Sequence, residues 1–157
     1  MAKSKKVFQT NTLKRHPSLI PLSRFHRSVL FLALVCKKNS PPVKGYPQDD
    51  KGKKDYALSF YEGPLGKHIA KEEERLFPFV ANKSPELQAL VDELKAEHQQ
   101  LDSLFNELST SSDLSESLNQ LGILLEQHVR KEERQFFQLI QQTLPEEEMQ
   151  KLESMLA

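Results

Sequence analysis

Residues 68–78, His68-Ile69-Ala70-Lys71-Glu72-Glu73-Glu74-Arg75-Leu76-Phe77-Pro78, decide how the rest of the chain is read. They have an echo sixty residues later in His128-Val129-Arg130-Lys131-Glu132-Glu133-Arg134-Gln135-Phe136-Phe137. In each, a histidine precedes a glutamate by four positions in a helix-favouring context. Imidazole and carboxylate therefore stack on one helix face about one turn apart, a spacing that chelates a cation. One such pair alone is equally at home on a solvated face. The decision rests on where the pairs fall in the apolar pattern around them.

Outward from these stretches the pattern is helical throughout. The second helix runs from near Lys53 through Leu58, Tyr61, Leu65, His68, Glu72, Leu76 and Phe79, with a kink expected at Gly63-Pro64. Upstream, a first helix starts at Leu19 with Ser18 as a candidate cap, carries Leu22, His26, Val29, Ala33 and Cys36, and stops before Pro41-Pro42. Downstream, Ser84-Pro85 opens a third helix with Leu87, Val91, Leu94, His98, Leu101, Phe105 and Leu108 on one face. Asp113 caps a fourth, which reads Leu114, Leu118, Leu121, Leu125, His128, Glu132, Gln135 and Leu139. No β-alternation intervenes. The expected fold is all-α, an up-and-down four-helix bundle over residues 13–143 followed by a short acidic helix in 144–157 through Met149, Leu152 and Leu156. Residues 1–12 are basic and aperiodic, and read as a flexible tail.

Composition narrows the function classes. Lys+Arg and Asp+Glu both number 22, so no overall basic field recruits nucleic acid or an anionic membrane. The single cysteine, Cys36, allows neither an internal disulfide nor a cysteine-based zinc site within one chain. The apolar run Val29–Cys36 is about half the length of a membrane span. A cytoplasmic protein with no membrane or nucleic-acid partner is the expectation.

Four of the five histidines, His26, His68, His98 and His128, occupy core-seam positions, one on each long helix. About two positions in seven are seam positions, so chance alone gives that arrangement on the order of one time in a hundred. Glu72 and Glu132 share the seam, and two buried carboxylates are costly unless paired or coordinated. No seam lysine or arginine is at hand, whereas bound cations turn the imidazoles and carboxylates into ligands. Such a donor set suits iron, and also manganese or zinc. Glu73, Glu74 and Glu133 are expected to face solvent, and Leu65, Leu94, Leu101 and Leu125 to wall the site.

Taken together, Arg15-His16-Pro17-Ser18-Leu19, Leu22-Ser23-Arg24-Phe25-His26, His68-xxx-Glu72-Glu73 with Leu76-Phe77-Pro78, Glu97-His98 and His128-xxx-Glu132-Glu133 resemble the hemerythrin-like, or HHE cation-binding, proteins. The resemblance spans roughly Leu13 to Thr143. It implies a four-helix bundle holding two iron ions in an oxo-bridged di-iron centre, with His26, His68, His98 and His128 as ligands and Glu72 and Glu132 bridging. It also implies oxygen, nitric oxide or peroxide as the small-molecule partner, or a role in iron buffering. Oxygen-carrying members have a fifth histidine where this chain has Asp102, which argues against simple oxygen carriage. Asp102 or His16 could complete the coordination. Those members also use a carboxylate five residues after the last histidine, here Glu133, whereas the seam favours Glu132.

Three functions follow from these readings. The first is a di-iron protein that binds or senses a small oxidant or buffers iron. A di-iron oxidase or peroxidase is the second, with Tyr61 close enough in register to assist. The third is a metal-free helical interaction module.

Overall fold

The computed structural model describes residues 14–157, so the basic segment 1–12 lies outside the described residues. Helix α1 spans Ile20–Cys36. A long helical run then comprises α2 (Asp50–Phe60), a π-turn (Tyr61–Leu65), α3 (Gly66–Lys71), a second π-turn (Glu72–Leu76), α4 (Phe77–Val80) and a 3₁₀ turn (Ala81–Lys83). It is followed by α5 (Pro85–Glu107), α6 (Leu114–Lys131), a third π-turn (Glu132–Phe136), α7 (Phe137–Thr143) and α8 (Glu146–Leu156). The architecture is all-helical, with no strand among the described residues. None of the described helices is long and apolar enough to cross a membrane.

Local chemistry accounts for the helix starts. Ser84 Oγ accepts from the Leu87 N–H at 3.1 Å with Pro85 at the first helical position, and Asp113 Oδ1 accepts from the Glu116 N–H at 3.2 Å. Ser18 is not the cap of α1. Leu19 is, without a side-chain bond, while Ser18 turns back to His16. The second run begins at Asp50, three residues before the expected Lys53, with an acidic residue in its first turn. Gly63 breaks helical geometry at φ −110° and ψ −106° beside Pro64, the kink that the sequence indicates.

The packing divides into two apolar halves. Leu22, Leu76, Phe77, Val80, Leu94, Phe136, Phe137 and Ile140 gather with Met149, Leu152 and Leu156 of α8 in one. Val29, Leu32, Leu65, Leu101, Phe105, Leu121, Leu125 and Val129 form the other. On every long element the candidate ligands fall between a residue of the first half and a residue of the second. His26 lies between Leu22 and Val29, His98 between Leu94 and Leu101. The polar residues are thus a layer through the middle of the core.

The π-turns at Glu72 and Glu132 correct the sequence register. In each, the N–H five residues on, of Phe77 or Phe137, donates to the glutamate carbonyl, so one extra residue enters the turn. Beyond it, Phe77, Val80, Phe136 and Ile140 are buried, while Phe79 and Leu139 are only half-buried and Gln135 is exposed. The expected seam positions Phe79, Gln135 and Leu139 are each one residue out of step.

Helix α1, with His26, packs along α6, with His128, and the approach depends on Gly122. A Cβ there would lie 2.7 Å from the Ala33 carbonyl oxygen and 2.8 Å from Lys37 Cγ. The first contact is with backbone and cannot swing away. Gly122→Ala is expected to lower unfolding free energy by about 1–3 kcal/mol, the usual range for overpacking. Denaturant melts would register this as a lower midpoint, and a variant as stable as the parent would show that the two helices have room to part.

Candidate metal centre

Helix α1 contributes His26, α3 His68, α5 His98 and α6 His128, while Glu72 and Glu132 each open a π-turn. All six are drawn together. The donor atoms of His26, His68, Glu72 and Glu132 lie within 4.8 Å of one another, as do those of Glu72, His98, His128 and Glu132. The two sets share both carboxylates. Glu72 and Glu132 have no solvent exposure, and His26, His98 and His128 are buried.

Distances within the layer are short, yet the atoms are not matched as hydrogen bonds. His26 Nε2 is 2.8 Å from Glu132 Oε1, His98 Nε2 is 3.2 Å from Glu72 Oε1, His68 Nε2 is 3.4 Å from Glu72 Oε2, and His128 Nε2 is 3.6 Å from Glu132 Oε2. All four oxygens of the two carboxylates and the Nε2 atoms of His26, His68 and His98 are buried without a hydrogen-bond partner. Buried polar atoms are almost always satisfied, and orphaned ones cost free energy. Oxygens and imidazole nitrogens converging from every side fit a cation, and their chemistry suits borderline-to-hard divalent metals.

The outward-facing nitrogens reveal what the sequence reading missed. His26 Nδ1–H donates to Glu133 at 2.5 Å, His98 Nδ1–H to Glu73 at 2.7 Å and His128 Nδ1–H to Glu97 at 2.7 Å. Each bond fixes its imidazole with Nε2 turned inward and makes that nitrogen a stronger donor. Glu73 is exposed, as expected, yet also reaches His98, whereas Glu133, expected to face solvent, is half-buried; both reach a neighbouring helix because consecutive helix positions are only about 100° apart. The first glutamate of each pair enters the pocket while the second reaches a histidine on another helix. The signal was present in the doubled Glu72-Glu73 and Glu132-Glu133 and in Glu97-His98. Glu74 is exposed, as expected.

These carboxylates are themselves held. Glu133 accepts from the Ser23 hydroxyl at 2.8 Å and from Arg15 at 2.8 Å, and Glu97 accepts from Lys131 at 2.5 Å. Burial alone would raise the Glu133 carboxyl, but His26, Ser23 and Arg15 hold it down to about 2. Burial alone would lower His26 and His98. The carboxylates of Glu132 and Glu133 bring His26 up to about 10, and those of Glu72, Glu132 and Glu73 bring His98 up to about 9. For Glu132, burial and the neighbouring Glu72 charge both push its carboxyl up. Glu72 is held well below the usual range by His68 and His98 despite its burial.

Neither suggested extra ligand joins the pocket. Asp102 is exposed and accepts from the Tyr61 hydroxyl, while Tyr61 stacks on Phe105 with ring centroids 4.1 Å apart. His16 takes the Ser18 N–H on Nδ1 at 3.0 Å and reaches Glu146 at 3.1 Å, tying the segment before α1 to α8. A small cavity of about 10 Å³ lies against the layer, lined by His26, His68 and His128 with Val29, Leu65, Ile69, Leu101, Leu125 and Val129. Leu94, expected in that wall, packs instead in the opposite half of the core.

Comparison with family models finds the Hemerythrin HHE cation binding domain over residues 31–140, more than half of the chain. That span includes His68, Glu72, His98, His128 and Glu132 and begins five residues beyond His26, whose place beside them comes from the packing of α1. No curated protein and no solved structure matches the chain.

Two outcomes follow from the geometry. Glu73→Ala and Glu133→Ala should each weaken metal affinity by about 10–100-fold, the usual effect of freeing a ligand histidine, while Glu74→Ala leaves it unchanged. Competition with a chelator of known affinity would rank the three. In protein stripped of metal, His26 and His98 bind protons more tightly folded than unfolded, so their contribution is full below pH 6.5 and is lost as pH rises through about 9 to 10. Thermal melts of stripped protein should show the midpoint falling across that interval, and a flat profile would contradict the ion pairing described.

Proposed function

The chain belongs to the hemerythrin HHE cation-binding family, and from that membership and the pocket geometry we propose that it holds a pair of iron ions and binds or senses oxygen, nitric oxide or peroxide. One ion would take His26, His68, Glu72 and Glu132, and the other Glu72, His98, His128 and Glu132, the glutamates bridging. Manganese or zinc would fit the same donors. The platform proposed is an up-and-down bundle of four long helices over residues 13–143, with 144–157 as an appended helix. The observation that carries the reading is the set of seven orphaned donor atoms from five residues in a layer enclosed by apolar side chains.

Coordination arithmetic points to a small guest. Four protein donors per ion leave positions open on a six-coordinate metal, and iron there would supply redox chemistry to whatever fills them. The chain's own residues limit what that can be. A cavity of about 10 Å³ has room for roughly one water-sized centre, far less than an organic substrate needs. The aliphatic wall of Leu65, Leu101 and Leu125 keeps bulk water away, and the carboxylates on Nδ1 hold three imidazoles in place. A diatomic or peroxide is favoured over oxidation of an organic compound.

Anaerobic titration with ferrous iron should give two ions per chain, and Glu72→Ala or Glu132→Ala should abolish at least one of them. Removing the metal with a chelator should lower the melting temperature, because the donors meet only in the folded chain. The ferrous protein should change its visible spectrum on exposure to oxygen or nitric oxide. Equal melting with and without saturating iron would favour a metal-free helical module, and sustained turnover of an added organic substrate would favour an oxidase.

A further inference from the structure

Outside the metal layer, the described residues carry one groove built from cations. Arg15, Ile20, Ser23, Arg24 and Arg27 line an open cleft of about 490 Å³ beside the first half of α1. Ile20, Ser23, Arg24 and Arg27 recur at three- and four-residue spacing, so they share one face of that helix. Arg24 and Arg27 are exposed, and among the described residues neither pairs with a carboxylate. Arg24 and Arg27 thus add two unpaired guanidinium groups beside Arg15, whose partner Glu133 is not among the lining residues, in a chain whose charges balance overall.

A second feature separates this groove from an ordinary charged surface. The Arg15 side chain is only 6 % exposed, yet its Nε has no hydrogen-bond partner. The other end of the guanidinium is fixed, since a terminal nitrogen donates to the Glu133 carboxylate and its Cζ lies 5.5 Å above the Phe137 ring. Ser23 donates to the same carboxylate. Glu133 in turn receives His26 Nδ1–H, and Phe137 stacks on His26 with centroids 5.7 Å apart. The wall of the groove is thus two contacts from an imidazole of the metal layer.

We propose that this groove binds a small phosphate-bearing anion, and that the anion and the metal ions strengthen each other's binding through Arg15 and Glu133. The planar forks of several arginines match the oxygens of a tetrahedral dianion, and charge-assisted bonds of this kind are among the strongest available to a protein surface. The cleft volume lies within the range of small-molecule sites. An anion there draws on the positive charge of Arg15 and leaves Glu133 more electron-rich toward His26. It also attracts cations in the pocket directly. Both effects favour metal, and by linkage the metal must favour the anion by the same factor.

Calorimetric titration of the full chain with inorganic phosphate, once stripped of metal and once loaded with two equivalents of zinc and freed of excess, tests both parts. Saturable binding is expected, tighter by about fivefold or more in the loaded protein. The exposed pair Arg24→Ala/Arg27→Ala, its fold checked by circular dichroism, should weaken phosphate at least about tenfold in both states. Unchanged affinity in that variant would place the phosphate elsewhere, for instance on the metal, and overturn the proposal, as would the absence of saturable binding to the parent. Equal affinity with and without zinc would overturn the coupling. Vesicles of phosphatidylglycerol, compared with phosphatidylcholine, separate a membrane surface from a free anion. Binding to the former without binding of soluble phosphate would also overturn the proposal.

Discussion

Two glutamates with no solvent exposure, set between two apolar half-cores, are the constraint that the rest of the molecule answers. An isolated carboxylate in such a place would take up a proton or unfold its surroundings, because desolvating a charge costs several kcal/mol even after relaxation. Four imidazoles surround the pair, and around them stand Glu73, Glu97 and Glu133, themselves balanced by solvent, by Lys131 and by Arg15 with Ser23. Charge is graded outward from the centre. Substituting any one member leaves its neighbour with an unmatched group, so the layer behaves as a network rather than as six independent side chains.

The π-turns belong to the same constraint. In a regular α-helix, a carboxylate and the residue after it diverge by about 100°, and the apolar stripe continues in step. Here Glu72 and Glu132 turn inward, their successors cross to other helices, and Leu76-Phe77 and Phe136-Phe137 still close the core below them. One inserted residue after each inward glutamate reconciles polar layer and apolar stripe. The irregularity falls at the same place in both copies of the motif, directly after the inward glutamate.

That explains why some features could be read from the sequence and others could not. The helices, the caps at Ser84 and Asp113, and the kink at Gly63-Pro64 follow from local rules with strong residue signals. The meeting of His26, His68, Glu72, His98, His128 and Glu132 in one layer was legible because each replaces an apolar residue in a periodic series. Nothing in Glu-Glu-Glu-Arg-Leu or Glu-Glu-Arg-Gln-Phe marks a π-turn, since those residues favour an ordinary helix. The register therefore slipped by one at Phe79, Gln135 and Leu139. The bonds of Glu73 and Glu133 were hidden for a related reason. A carboxylate one step off the seam looks solvent-facing until the neighbouring helix is known to offer an imidazole nitrogen.

The layer is not symmetric. His26, His98 and His128 each have a carboxylate on Nδ1, whereas among the described residues no carboxylate meets the Nδ1 of His68, which stacks on Phe25 with centroids 4.7 Å apart. His68 is also the histidine carried closest to the Gly63-Pro64 break, and it lines the small cavity. Three histidines are thus clamped by charge, while the fourth is held by an aromatic face, a weaker and less directional contact. On the proposed reading the pocket would retain metal and still admit a guest, and these tasks call for different mechanical properties. There the three clamped imidazoles would retain the ions, and His68, with no carboxylate on Nδ1 among the described residues, would be the one to yield as a small molecule enters between Leu65, Leu101 and Leu125. On that reading, the side of the layer bearing His68 is where ligand entry would cost least rearrangement.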